Sequence, residues 1–322
     1  MMTAQTSTTP LVSIIIPTYQ RPALLLRAVR SALGQSFSQI EVLVIVDGPD
    51  NATEEVSATI NDPRFRLISL PRRVGGSETR NTGVREAVGK WVAFLDDDDE
   101  WLERKIESQL ALGKTADCEH FLVSCRVLAK TPRADYEWPR RLPSLHEPLS
   151  EYLLIRDSLF RGERSIQTST FFAKRQLFER CPFRKGQLKH QDTDWLLRAA
   201  QLSEFRVLFV NEILVRHFLE ESRRTVSSQS NWRYSFNWAQ ENRHLFTARA
   251  YAGFLVNNVT PEAADAKSLS AIPRIAIELV RYGKTRFREF CVFLAMWVIP
   301  RTARRRLRDF ISRFKPVLLR LQ

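Results

Sequence analysis

Short apolar runs and stretches with helical spacing alternate along the first 115 residues of the chain. Apolar, often β-branched runs that predict strands occupy 11–16, 41–46, 65–70 and 91–95. Between and after them, apolar positions recur every three or four residues, which predicts helices at 22–33, 54–60, 77–88 and 101–114. Strands that alternate with helices are typical of a mainly parallel sheet with helices on both faces, so an α/β fold is expected.

The strict alternation ends near residue 130. A strand is predicted at 121–129, and the four prolines within 131–148 predict a long loop. Further strands are predicted at 167–173 and 205–210, helices near 174–180 and at 195–201, and a helical pattern from 232 onward. We therefore expect a disordered tail at 1–10, an α/β domain at 11–226 with halves 11–115 and 116–226, and a helical region at 227–322.

Composition is that of a globular protein, but the charge is uneven. Hydrophobic residues make up 44% and charged residues 26% of the 322-residue chain, which argues against a disordered or multi-span membrane protein. The formal net charge is +13, of which +10 falls in residues 271–322. The four cysteines show no CxxC spacing and are expected to be free thiols in a reducing compartment.

The C-terminal segment is basic and amphipathic. One helical face carries Leu307, Phe310, Ile311, Phe314, Val317 and Leu318, and around it lie Arg304, Arg305, Arg306, Arg308 and Arg313. Such a segment either lies in the headgroup region of an anionic membrane or packs on the α/β domain with its arginines in solvent. The apolar run 290–299 is about half of the ~20 residues that span a bilayer, and the N-terminus lacks a secretory-signal pattern. We therefore expect a cytoplasmic protein, which in the first of these two cases is peripheral on the inner face of the cell membrane.

Polar residues follow three of the predicted strands. Pro17, Thr18 and Tyr19 follow the first strand, Asp47 follows the second, and the fourth runs into Asp96–Asp97–Asp98–Asp99. Ligands bind beyond the carboxyl ends of strands in an open α/β sheet. Four successive carboxylates repel one another unless a cation neutralises them, and oxygen ligands of this kind suit Mg²⁺ or Mn²⁺ with a substrate phosphate. The alternative is a solvated acidic loop or the start of the following helix.

Four segments in this order, 12–19, 44–48, 80–83 and 94–101, resemble the family 2 glycosyltransferases, which are inverting enzymes of the GT-A fold that use nucleotide-sugar donors. The resemblance extends in weaker form to about residue 226. It implies that 11–115 is the nucleotide-sugar-binding half and that 116–226 is the acceptor-binding half, with a helical extension after them.

The resemblance also implies site residues. Donor-nucleotide contacts would come from Pro17, Thr18, Tyr19, Asp47, Arg80, Asp96 and Asp97, with Asp47 against the base and Asp96 against the ribose. Asp98 and His217 would bind the metal, although Asp97 and Asp99 give a second register for the Asp-x-Asp motif. Asn81 either contacts the donor or only packs and caps. Ser222, Arg223 and Arg224 would close over the diphosphate.

An inverting transfer needs a carboxylate that takes a proton from the acceptor hydroxyl. The family supplies it from a Glu-Asp pair, and in this sequence Gln191 replaces the glutamate while Asp192 takes the base position. Asp194 is the other candidate for the base. For either aspartate, the alternative role is that of N-cap of the following helix.

Together these features predict a non-processive, metal-dependent transferase that moves a sugar from a nucleotide diphosphate, with UDP as the default and GDP and dTDP left open. The acceptor would be a hydroxyl of a glycan or lipid-linked molecule in cell-surface polysaccharide or glycoconjugate synthesis. A sugar nucleotidyltransferase is the first alternative, but no glycine- and arginine-rich loop follows the first strand. A basic nucleic-acid-binding protein is the second, and because the charge is confined to the tail we expect no nucleic-acid partner.

Overall fold

The computed structural model describes residues 9–132, 134–144, 146–157, 163–219, 231–300 and 302–304. The chain forms two compact units, one made of Met1–Pro139 and Ile166–Arg223 and the other of Arg140–Ser165 and Arg224–Gln322. Residues 140–165, which the sequence analysis assigned to the α/β domain, thus belong to the helical unit. The predicted boundary at 226 and most of the predicted tail at 1–10 lie outside the described residues.

The first unit contains the sheet. Its strands are β1 (Val12–Thr18), β2 (Ile40–Val46), β3 (Phe65–Ser69), β4 (Trp91–Phe94), β5 (Glu100–Trp101), β6 (Phe121–Lys130), β7 (Asp135–Trp138), β8 (Phe172–Lys174) and β9 (Arg206–Phe218). The helices of the two units, in chain order, are α1 (Pro22–Leu33), α2 (Asn51–Ser57), α3 (Gly76–Glu86), α4 (Lys105–Lys114), α5 (Leu149–Leu154), α6 (Arg175–Arg180), α7 (Gln191–Ala199), α8 (Trp232–Glu241), α9 (Ala248–Phe254), α10 (Thr260–Asp265), α11 (Ala271–Tyr282) and α12 (Phe287–Val298).

In the described part of the chain, the nine strands form one mixed sheet in the order β3-β2-β1-β4-β8-β6-β9-β5, with β7 paired to β6. The first four strands are mutually parallel, β8 runs antiparallel to β4 and β6, and β9 runs parallel to β6. The parallel part places the carboxyl ends of β1, β2 and β4 at one edge, which is where the sequence analysis expected a ligand site. The predicted α/β fold is confirmed.

Several predicted boundaries were wrong, because long-range pairing overrode the local pattern. Residues 100–101 form β5 on β9 instead of the start of a helix. The strand predicted at 205–210 continues to 218, and the predicted loop at 131–148 contains β7. Within 167–173, a 3₁₀ turn at Thr168–Thr170 precedes β8. Helix α7 begins four residues before the predicted 195.

The two faces of β1 pack against different helices. Val12, Ile14 and Ile16 face the core that includes the apolar side of α1. Ile15 points to the opposite face, where Gly83 of α3 lies against it so closely that a Cβ on Gly83 would overlap the Ile15 side chain. Helices therefore cover both faces, and the glycine permits α3 to approach the sheet.

The second unit has its own core. Tyr152, Tyr251 and Phe254 are each almost completely buried. The Tyr251 hydroxyl donates to Glu278 over 2.6 Å, and the Gln240 side-chain amide donates to the same carboxylate over 2.8 Å, so the buried acid of α11 is satisfied. No described helix of the chain combines the length and the apolar character needed to cross a membrane.

We expect Gly83→Ala to lower the free energy of unfolding by about 1–3 kcal/mol, because the added methyl group overpacks the contact with Ile15. Urea unfolding measures the change. The Ile15→Ala background removes the overlapping atoms, so Gly83→Ala should cost less there than in the wild type. Additive costs in this double-mutant cycle would contradict the contact.

Candidate active site

The acidic turn, residues 95–99, joins β4 to β5 and carries the four consecutive aspartates. Oxygen atoms from Asp96, Asp98 and Asp99 lie within 4.8 Å of one another. Carboxylate oxygens at this spacing are the ligands that Mg²⁺ and Mn²⁺ prefer, so the turn fits a divalent cation. Asp97 lies outside this group, which contains both aspartates of the Asp96-x-Asp98 register and, of the second register, Asp99 alone.

The Asp97 side chain is buried and contacts the end of β1 and the loop after it. Its two carboxylate oxygens accept hydrogen bonds from the Thr18 hydroxyl (2.8 Å) and from Arg21 (3.0 Å). Burial raises the pKa of Asp97, against the opposing effect of the Arg21 charge. Asp97 and Thr18 thus tie the turn to the end of β1, and their predicted contacts with the donor remain predictions.

Asp99 is the best-enclosed member of the cation group. One oxygen lies 2.8 Å from Nδ1 of His217, and the other accepts a hydrogen bond of 2.5 Å from the Ser169 hydroxyl. Burial lowers the pKa of His217, but the Asp99 carboxylate outweighs this and raises it to about 9. His217 therefore lies beside the cation group, and its predicted role as a metal ligand stays a prediction.

Ser169 connects both ends of the acidic turn. Besides its bond to Asp99, its hydroxyl accepts the backbone N–H of Asp96 at 3.1 Å, and its carbonyl accepts the Trp101 indole N–H at 2.9 Å. Ser169 is fully buried, so these bonds have no competition from solvent. The serine holds the turn in one conformation.

Arg80 joins the acidic turn to α7. Its guanidinium donates to Asp96 over 2.5 Å and to the Gln191 side-chain oxygen over 2.8 Å, and Gln191 in turn donates to the Gln187 carbonyl over 2.7 Å. Arg80 is only 8% exposed, so both contacts are shielded. The glutamine that departs from the family pattern therefore serves as a neutral acceptor for Arg80 in this chain.

Asp192 and Asp194 occupy different environments in the first turn of α7, and the N-cap residue is His190. Asp194 is 1% exposed and forms ion pairs with Arg198 (2.7 Å) and Arg184 (3.4 Å), which gives it a structural role. Burial, and then the charge of Asp96, raise the pKa of Asp192. Gln191, the residue before Asp192, accepts a hydrogen bond from Arg80, whose guanidinium also contacts Asp96 of the acidic turn.

The end of β2 anchors the start of α3. The Asp47 carboxylate accepts backbone N–H groups from Val74 (2.7 Å) and Gly75 (3.1 Å), and Gly75 is the N-cap residue of α3. The Arg73 guanidinium stacks on the Tyr19 ring with 4.0 Å between its carbon and the ring centroid. Asp47 and Tyr19 thus lie at neighbouring strand ends, as predicted, while their contacts with a nucleotide remain predictions.

Asn81 has a structural role in this fold. Its side chain donates to the Phe183 carbonyl over 2.8 Å and accepts the Phe183 N–H at 2.9 Å. This pair of bonds is formed within the described structure and links α3 to the segment before α7. Of the two roles expected for Asn81, donor contact or packing and capping, these bonds correspond to packing.

The sequence analysis missed two site residues. Arg21 lies two residues beyond Tyr19, so extending the strand-end search along that loop would have found it. Ser169 gave no local signal, because its contacts with Asp99 span 70 residues and it lies in a segment predicted as a strand. Three predicted residues, Ser222, Arg223 and Arg224, lie outside the described residues.

Comparison with known proteins identifies the class to which this site belongs. Residues 13–181, just over half of the chain, match the family described as glycosyl transferase family 2. The chain therefore belongs to glycosyl transferase family 2. It is 31% identical over 204 residues to the succinoglycan biosynthesis protein ExoO of Rhizobium meliloti, covering 60% of this chain and 56% of that protein. The matched part thus spans little more than half of that relative.

Two solved structures share the fold. TarS of S. aureus, in complex with UDP-GlcNAc, superposes with a TM-score of 0.54 at 15% identity, covering 88% of this chain and 79% of that one. The mannosyltransferase PcManGT of Pyrobaculum calidifontis, in complex with GDP-Man and Mn²⁺, gives a TM-score of 0.51 at 18% identity, covering 90% and 87%. The predicted GT-A fold is confirmed by these likenesses.

We expect Asn81→Leu to lower the free energy of unfolding by about 1–3 kcal/mol, because the Phe183 N–H and C=O would lose their partners in a buried place. Thermal and urea unfolding measure the loss. Exposed Asn61 provides the control, and Asn61→Leu should stay within about 0.5 kcal/mol of the wild type. Equal effects at the two positions would contradict the structural role of Asn81.

Proposed function

We propose that the protein is a non-processive, inverting, metal-dependent glycosyltransferase. It moves a sugar from a nucleotide diphosphate, with UDP as the first choice, to a hydroxyl group of a glycan or lipid-linked acceptor in polysaccharide or glycoconjugate synthesis. The observation that carries the proposal is the arrangement around Arg80. This residue connects the acidic turn, through Asp96, to the helix turn that carries Asp192.

Asp96, Asp98 and Asp99 would hold the divalent cation. Their oxygen atoms lie within 4.8 Å of one another, and three oxygen donors suit Mg²⁺ or Mn²⁺, with Mn²⁺ present in the PcManGT complex. When bound, the cation would supply Lewis-acid stabilisation of the charge on the leaving diphosphate. The residues Ser169 and Arg80 would keep Asp99 and Asp96 in place, which spares the site that reorganisation during the reaction.

Asp192 would act as the general base. The acceptor oxygen bonds to the anomeric carbon, the bond from that carbon to the diphosphate oxygen breaks, and the hydroxyl proton passes to the Asp192 carboxylate. The raised pKa of Asp192 favours this role, because a base is most effective when its pKa approaches the working pH. Asp194 is supported less well, since its carboxylate is engaged by two arginines.

Pro17, Thr18, Tyr19 and Asp47 would form the nucleotide side of the site at the ends of β1 and β2. The similar proteins of known structure were solved with different nucleotides, UDP-GlcNAc in TarS and GDP-Man in PcManGT, so the shared fold accommodates more than one base. UDP is therefore the first donor to test, with GDP and dTDP beside it.

The ExoO likeness supports a place in polysaccharide synthesis, and the proposed location is the cytoplasmic face of the cell membrane. The amphipathic residues from 305 onward on which the membrane prediction rested lie outside the described residues. Support within the described chain comes from exposed apolar residues of α12, which the next subsection analyses.

Donor binding and metal dependence can be tested in one experiment. A panel of nucleotide sugars should contain one that binds and slowly hydrolyses only with Mn²⁺ or Mg²⁺, and Asp98→Ala should lose both properties because a cation ligand is removed. Calorimetry measures binding and nucleotide release measures hydrolysis. Asp117→Ala, at an exposed aspartate outside the acidic turn, is the control and should behave as the wild type. Failure of every donor under every metal condition would overturn the proposal.

Substitutions of the two aspartates of α7 should have different effects. Asp192→Asn should slow sugar transfer to a panel of alkyl glycosides by about 10²–10⁴-fold while donor binding persists, because only proton removal is lost. Asp194→Asn should instead lower the melting temperature, because a buried carboxylate partner of Arg198 is lost. Wild-type transfer rates in Asp192→Asn, or the same loss of transfer in a fully stable Asp194→Asn, would contradict the assignment of the base.

A further inference from the structure

Helix α12 exposes an apolar stripe, defined as Phe287, Phe290, Leu294 and Val298. These residues recur every three or four positions, so they share one side of the helix. All four are exposed, and Phe287 and Val298 are 84% and 79% exposed. The most exposed side of this helix is therefore apolar, which is the reverse of an ordinary surface helix.

A second side of α12, next to the stripe, is buried. Phe293 is 2% exposed and lies in aromatic contact with Phe290 and Trp297, with ring centroids 6.4 Å apart in each pair. The Glu289 side chain accepts the backbone N–H of Arg286 over 3.0 Å and so caps the helix start. Helix α12 also packs against α10, so one side of it is buried while the stripe stays exposed.

Cations surround the start of the stripe. Arg281, Lys284, Arg286 and Arg288 lie within eight residues of sequence and are all exposed, and Glu289 is the acid among them. Apolar side chains beside exposed cations complement a surface that offers both hydrocarbon and negative charge, which is the combination in the headgroup region of an anionic bilayer.

We infer that α12 docks on an anionic membrane surface through its apolar stripe. Twelve residues of helix extend for about 18 Å, which is too short to cross a hydrocarbon core of about 30 Å but suits a helix lying in the interface. This inference makes the proposed membrane location specific, and it does not depend on the transferase chemistry, since it rests on residues of the helical unit alone.

A second copy of the chain fits the stripe less well than a bilayer does. Two copies that met with their stripes parallel would bring their arginines and lysine together, and like charges in contact oppose association. An antiparallel pair would separate these cations but would offer them no negative charge, because residues 291–298 carry no acidic side chain. An anionic lipid surface meets the same cations with opposite charge. The charge around the stripe therefore favours an anionic bilayer over a second copy of the chain.

Cys291 provides a probe at the site. It lies beside Phe290 and Leu294 and is exposed, whereas Cys118, Cys125 and Cys181 are buried, so a thiol-reactive, environment-sensitive dye labels it selectively. We expect the dye emission of the full chain to shift to the blue with vesicles of phosphatidylcholine and 30% phosphatidylglycerol at low salt. Pure phosphatidylcholine vesicles should give at least a fivefold weaker response, and salt should reduce the shift.

The matched control carries the dye at position 88 instead of position 291. In a Cys291→Ser, Val88→Cys chain the dye reports from an exposed apolar position of the first unit, and its emission should not change with vesicles. Val298→Ser, which changes an exposed stripe residue, should weaken vesicle binding of the otherwise unchanged chain by at least threefold, and Val88→Ser should not. Equal shifts at both dye positions, or no shift at Cys291, would overturn the inference.

Self-association is distinguished without lipid. A blue shift of the Cys291 dye that grows with protein concentration, together with a dimer in analytical ultracentrifugation, would overturn membrane docking in favour of a second copy. Donor binding measured in vesicle-free solution reports on the transferase proposal separately, so either proposal can fail while the other stands.

Discussion

Four negative charges on consecutive residues are the constraint around which the first unit is organised. Like charges at this spacing raise one another's pKa and oppose folding unless each one finds compensation. The protein gives the carboxylates several neighbours: Arg80 for Asp96, Thr18 and Arg21 for Asp97, and Ser169 and His217 for Asp99, while Arg21 also reaches Asp98 at 3.4 Å. These neighbours come from α3, β1 and the loop after it, the 3₁₀ turn and β9, so elements far apart in sequence stabilise the turn.

Arg80 also couples the acidic turn to helix α7. Because one guanidinium contacts both Asp96 and Gln191, the position of the acidic turn and that of the first turn of α7 depend on each other. A glutamate at 191 would offer Arg80 a charge in competition with Asp96, whereas glutamine offers an uncharged oxygen. The departure from the family pattern is thus compatible with an intact site, because it leaves the arginine's charge to the acidic turn.

Local pattern was sufficient where apolar residues mark a strand and insufficient where partners lie far away in sequence. Strands β1 to β4 were predicted to within two residues, because β1, β2 and β4 are nearly continuous apolar runs and β3 carries Phe65, Leu67 and Ile68. β5 and the second half of β9 were missed, because they depend on strands that are distant in sequence: Glu100 pairs with Arg216, and Val127 pairs with Val215. Likewise, strand ends located the aspartates, but no local signal indicated that Asp99 would meet Ser169 and His217, which are 70 and 118 residues away.

The pairings at the two ends of the acidic turn have a consequence for how this segment can vary. Phe94 is held in register with Ile15, and Glu100 with Arg216, so the residues between them, 95–99, bridge two fixed points of one sheet. Exchanging one aspartate alters only the contacts of that residue. Adding or removing a single residue would instead move every later side chain to its neighbour's place, and the inward and outward carboxylates would trade positions. The number of residues between the two strands, more than the number of aspartates, therefore defines the site.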